Sequence, residues 1–169
     1  MGEHLQARDL EEMVSRSNGQ DWSVSWHPGA SAPAGRSHGT AGICVTADAR
    51  LVLISHDGAH WGFPAGRPEG DETPLETLRR EVLEEACAVV GDARQLGYSR
   101  SRCLRGHERG LVLVRSYWWA EVDLLAWRPR FEITHRRIIP VTEATDVVRD
   151  PDEAATRIAL RALDEAGLG

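Results

Sequence analysis

Residues 73 to 89 read TPLETLRREVLEEACAV, and their punctuation suits a helix better than any other local structure. Thr73, Pro74 and Glu76 supply an N-cap, a proline at the first helical position and the returning glutamate of a capping box. Leu75, Leu78, Val82, Ala86 and Val89 recur every three or four residues, which at about 100° per residue gathers them into one arc of roughly 80°. That stripe needs a core to lie on. Glu81, Glu84 and Glu85 fill a neighbouring arc of roughly 100°, because i, i+3 and i+4 positions stand together. A helix bordered in this way needs both a sheet beneath it and something positive beside it.

Strand-like runs flank the helix. Ile43 to Thr46 and Leu51 to Ile54 predict paired strands joined through ADAR, followed by a Gly- and Pro-punctuated run with an Asp57-Gly58 turn. ARQLGYSRSRCL and GLVLVRSYWWAEVDLL predict a hairpin through Arg105 to Gly110, and HRRIIPV a last short strand after a loop at WRPRFE. A closing helix follows, with Asp150 and Pro151 as its start and Ile158, Ala159, Ala162 and Leu163 as its buried side. The fold class is therefore α/β (α+β), a mixed sheet between helices. With 169 residues and 41% apolar composition the chain suffices for one core. Residues 1 to 37 read as an N-terminal extension, with a short helix over 3 to 15 and Trp22 and Trp26 packing it onto a domain at 38 to 169.

A net charge of -6 argues against general attraction to nucleic acid or to membrane phosphates, and no run is apolar enough to span a bilayer. The opening MGEHLQARDLEEM lacks a signal peptide's pattern, so a cytoplasmic protein is expected. Cys44, Cys87 and Cys103 fit neither a zinc spacing nor a disulfide framework and read as buried thiols.

A row of glutamates on a helix is ordinarily a solvated face, supported here by pairs such as Glu76 with Arg80 and Arg80 with Glu84. Three features favour a metal instead. Glu81 and Glu85 are like charges four residues apart, the patch adjoins the buried stripe, and a glycine-rich segment brings backbone carbonyls close. Clustered hard oxygens suit Mg²⁺ or Mn²⁺.

Residues 66 to 88, GRPEGDETPLETLRREVLEEACA, resemble the Nudix box, G-x5-E-x7-R-E-U-x-E-E-x-G-U, where U is a bulky aliphatic. Gly66, Glu72, Arg80, Glu81, Val82, Glu84 and Glu85 match it, whereas Cys87 stands at the closing glycine and Ala88 at the final aliphatic. The resemblance to this MutT-like family implies a Nudix α/β/α sandwich over 38 to 169. It implies metal ligation by Glu81, Glu84, Glu85 and the carbonyl of Ala65, an ion pair between Glu72 and Arg80, a close backbone approach at Gly66, and phosphate contact by Arg67. The implied reaction is Mg²⁺- or Mn²⁺-assisted attack of water on the diphosphate of a nucleoside diphosphate linked to another group. Catalytic candidates are Glu81 and Glu84 in the box and Glu132 ahead of the last strand, with Glu108 and His107 as alternatives for the base. The pair His56 and His60 is a weaker metal candidate, because the Asp57-Gly58 turn precludes a helix there. Members that cleave ADP-ribose resemble one another in a proline where this chain has Cys103, so that subclass gains no support. Trp61, Tyr98, Trp118 and Trp119 offer stacking surface, although tryptophans in strands more often serve the core. The rival readings are a nucleotide-sensing module that keeps the Nudix fold without cleaving, and an interaction domain whose acidic face binds a basic partner. A homodimer is left open.

Overall fold

The computed structural model describes residues 12–130 and 132–169. Alternating burial along the central strands sets its layers. Ile43, Val45, Leu51 and Leu53 point to one side of the sheet, while Cys44, Val52 and Ile54 point to the other, the period of two that a strand buried on both faces requires. Among the described residues eight strands form one mixed sheet: β1 (Met13–Ser17), β2 (Gln20–Pro28), β3 (Arg36–Val45), β4 (Arg50–Ser55), β5 (Ala65–Gly66), β6 (Ala88–Arg105), β7 (Val112–Leu124) and β8 (His135–Pro140). Their order is β1-β2-β6-β7-β3-β4-β8, with β5 paired to β3. Only β3 and β7 run parallel among these pairs.

Helix α1 (Pro74–Ala86) covers one face, where Leu78, Val82 and Ala86 are fully buried against Cys44, Val52 and Ala120. A short 3-10 turn (Val141–Glu143) runs into α2 (Ala144–Val147), and α3 (Glu153–Glu165) covers the other face through Ile158, Ala162 and Leu163. The expected sandwich of helices about a mixed sheet is thus the architecture observed.

Three local expectations change. The helix over 3 to 15 falls partly outside the described residues, and Met13–Ser17 is a strand paired with β2. Asn18 and Gly19, at φ 52° and 73°, form the turn between the two strands, and both angles lie in the region a primed hairpin turn demands. Val89 leaves the apolar stripe because α1 ends at Ala86; the chain turns through Cys87 and puts Val89 on β6, where it is exposed. The last helix starts at Asp152, whose side chain accepts from the Ala154 N–H, rather than at Asp150. Trp22 and Trp26 lie in the α3-side core, as expected of residues that pack this segment onto the domain, and they do so from a strand paired with β6.

All three cysteines are free and buried. Among the described residues no helix is long and apolar enough to cross a membrane.

Candidate active site

The site is assembled around β5. Ala41 faces Ala65 and Thr40 faces Gly66, while the Gly42 N–H donates to the Pro64 carbonyl at 3.0 Å. Ala41 and Ala65 are therefore a non-hydrogen-bonded antiparallel pair, which turns both the N–H and the carbonyl of Ala65 away from β3. The N–H donates to Glu85 Oε1 at 2.8 Å, and the carbonyl stands on the same edge, beside the glutamate face of α1. Gly66 lies directly under Glu81: a Cβ there would collide with that carboxylate. Gly39, at φ 137°, is likewise packed against the Gly66 carbonyl, so this backbone crossing has no room for side chains.

Arg80 binds the loop to the helix. Its Nε donates to Glu72 Oε1 at 2.7 Å and its Nη2 to Glu72 Oε2 at 3.2 Å, a two-pronged pair, while Nη2 also donates to the Arg67 carbonyl at 2.8 Å. Nη1 donates to Glu81 Oε1 at 2.7 Å and to Glu84 Oε2 at 3.3 Å. The hydrogen bond from Arg80 holds the Glu72 carboxyl below its usual range. Burial has the opposite effect deeper in, raising Glu81 despite Arg80 and pushing Glu85 up to about 7 despite the Ala65 N–H. In this arrangement no three Asp, Glu, His or Cys side chains among the described residues converge on one point, because Glu85 is turned to Ala65 and the other two to Arg80.

The donor set nevertheless fits a hard divalent cation. Glu81, Glu84, Glu85 and the Ala65 carbonyl are all oxygen donors on one edge, and among the described residues no basic side chain hydrogen-bonds to the largely buried Glu85.

On the α3 side a cavity of about 360 Å³ opens between β1, β2, β6, β7 and α3. Arg67, exposed, stands at its border, together with Arg115, His38, Glu108, Gln20 and Tyr117. A second hollow of about 300 Å³ shares His38, Arg67 and Glu108 with it and adds Arg36. His38 enters because β3 bulges between Ser37 and Gly39 opposite β7. Arg36, His38 and Arg115 escaped the sequence reading; its only signal was an arginine inside the apolar run before Tyr117.

Glu132 is exposed, one residue before Ile133, which is buried with Val82 beneath α1. Of the histidines, His60 Nδ1 pairs with Asp57 at 2.6 Å and His135 Nδ1 with the Thr134 hydroxyl at 2.7 Å. Trp119 and Trp61 pack against the α3-side core, Trp118 against the α1-side core, and the Tyr98 hydroxyl donates to the Ala30 carbonyl at 3.2 Å.

A glycine-and-glutamate loop closed on a glutamate-bearing helix, over a mixed sheet between helices, is the arrangement of a Nudix hydrolase fold. The chain belongs to that family: residues 36–163 match the NUDIX domain. It is similar to RNA pyrophosphohydrolases, being 33% identical over 107 residues to that of Pseudomonas putida (55% of this chain, 66% of the relative). It is 31% identical over 107 residues to that of Pseudomonas aeruginosa (56% and 67%). The chain thus spans about two thirds of the length of these curated relatives. Among solved structures, the Bacillus subtilis pyrophosphohydrolase BsRppH aligns with a TM-score of 0.65 at 21% identity, covering 94% of this chain and 98% of that one. A NUDIX hydrolase from Nitrosomonas europaea aligns at 0.59 and 17%, covering 79% and 89%. At these identities the likeness establishes the fold.

Proposed function

We propose that this chain hydrolyses the diphosphate linkage of a nucleoside diphosphate derivative, using Mg²⁺ or Mn²⁺. The observation that carries the reading is the edge where Glu81, Glu84 and Glu85 border the outward-facing Ala65, whose N–H meets the largely buried Glu85. Glu81, Glu84, Glu85 and the Ala65 carbonyl would hold the metal. When bound, it supplies neutralisation of the diphosphate and a water of lowered pKa. Arg80 and Glu72 hold the loop so that Ala65 and Glu85 stay in register, and Gly66 leaves room for Glu81. Arg67 reaches from the loop toward substrate phosphate. Glu132, tethered by buried Ile133, is the residue we assign to draw a proton from the attacking water, with Glu81 and Glu84 the alternatives within the box.

RNA belongs among the substrates to be tried because relatives bear the name RNA pyrophosphohydrolase. Reduced, buried cysteines fit a cytoplasmic setting. The reading is tested by phosphate and pyrophosphate release from nucleoside triphosphates, nucleotide sugars and a 5′-triphosphorylated oligonucleotide, with Mg²⁺, Mn²⁺ or EDTA. Metal-dependent turnover of any of these supports it; nucleotide binding with no turnover would favour a sensor instead.

A further inference from the structure

Three guanidiniums collect where the box loop meets the cavity. Arg36 opens β3, Arg67 follows β5, and Arg115 stands within β7, each bordering one or both of the two hollows. His38 lies among them, and its ionisation registers their field: burial first, then Arg115, Arg67 and Arg36, lower its pKa to about 4. The imidazole is thus neutral at pH 7 and offers one donor and one acceptor. The carboxylate of this ring, Glu108, is turned aside. Gln20 Nε2 donates to Glu108 Oε2 at 2.9 Å, and the Glu108 N–H donates back to Gln20 Oε1 at 2.9 Å.

Among the described residues none of the three arginines is held in an ion pair. In a chain of net charge -6 this is a local field of reversed sign. Arg115 is the most informative member. It is partly buried, it lines the larger hollow together with Arg67, and a guanidinium withdrawn from water is costly unless an anion meets it.

We propose that Arg36, Arg67 and Arg115 form a phosphate subsite beside the carboxylate helix, so that the preferred substrate carries a linear chain of three or more phosphates. The inference rests on the hydrolase reading above, which puts the cleaved diphosphate at Glu81, Glu84 and Glu85. A further phosphate continuing from there past Gly66 meets Arg67, which borders both hollows, and beyond it Arg36 and Arg115. A sugar-linked nucleoside diphosphate presents neutral hydroxyls instead and leaves the guanidiniums without a counter-charge. The triphosphate can belong to a mononucleotide or to the end of an RNA, and the substrates below separate the two.

The test is steady-state kinetics of the full chain, Arg36→Gln and Arg115→Gln on ATP, a 5′-triphosphorylated oligoribonucleotide and ADP-ribose, which lacks the third phosphate. The wild type should prefer a triphosphate, and each substitution should lower the ratio of its kcat/KM to that for ADP-ribose by about tenfold or more, mainly through KM. Equal losses on all three substrates, or none, would overturn the subsite and leave the hydrolase reading standing. If the wild type cleaved nothing, that reading would fall, and calorimetric binding of inorganic tripolyphosphate would decide the subsite alone. Binding about tenfold weaker in Arg36→Gln supports it, and unchanged binding overturns it. Arg36 is exposed, so its variant keeps the fold.

Discussion

Gly66 is where backbone geometry bears most directly on the chemistry. The nearest atoms a Cβ would meet there belong to the Glu81 carboxyl end, which Arg80 holds at 2.7 Å, so Gly66→Ala should still fold, at a cost of about 1 kcal/mol. It should nevertheless displace the carboxylate and cut kcat by about tenfold or more, since small misplacements at a reacting centre are expensive. Paired melts and kinetics check this. His38 gives a pH prediction. Its folded pKa is depressed from 6.5 to about 4, so its contribution is complete above pH 6.5 and is lost as pH falls through about 4. His38→Gln should therefore lose about 1 kcal/mol less stability than wild type between pH 7 and pH 4, a figure reduced for the ring's partial exposure and read from urea titrations. The glutamates were legible from the sequence because one helix carries all three at fixed spacing. Arg36, His38 and Arg115 were not, because β3 and β7 become neighbours only through a parallel pairing that no local pattern announces, and because a bulge decides where His38 points.

The exit of α1 departs most from the family signature. Cys87 adopts φ 50° and ψ 53°, the left-handed conformation for which glycine is usual, while its side chain stays buried and its thiol donates to the Arg128 carbonyl at 3.4 Å. Arg136, reaching from β8, supplies what the last turn lacks: its Nη1 donates to the carbonyls of Ala86, Cys87 and Leu125 at 2.9, 3.2 and 3.0 Å. Cys87→Val, β-branched at a positive φ, should cost about 2 kcal/mol in chemical denaturation. Cys87→Gly should fall near zero, because relief of the backbone offsets the lost burial. The helix start was legible from Thr73, Pro74 and Glu76, whose capping box is formed in both directions. At the other end of the chain, Asn18-Gly19 carried a clear hairpin signal, and the helical spacing of the residues before it obscured the strand at Met13–Ser17.

For the whole molecule, the family match begins at residue 36, yet β2 lies inside the sheet and Trp26 is 2% exposed in the core. Trp26→Ala should cost about 3–5 kcal/mol, the loss expected of a core aromatic and far more than a detachable extension would show. Residues 1–37 read in sequence as an extension because their Gly, Ser and Pro content obscures β1 and β2, and only the pairing of β2 with β6 reveals the part these two strands take in the cavity wall. Around Ala65, α1 supplies the carboxylates, and the hollows bordered by the neighbouring Arg67 supply the cations. The measurement that bears most directly on this account is single-turnover hydrolysis of a 5′-triphosphate by wild type and Glu84→Gln at matched Mg²⁺, with folding checked by circular dichroism. The account predicts turnover by wild type that EDTA abolishes, and a loss of about 100-fold or more in a folded Glu84→Gln. A folded variant that hydrolyses as fast as wild type, or hydrolysis indifferent to EDTA, would contradict it.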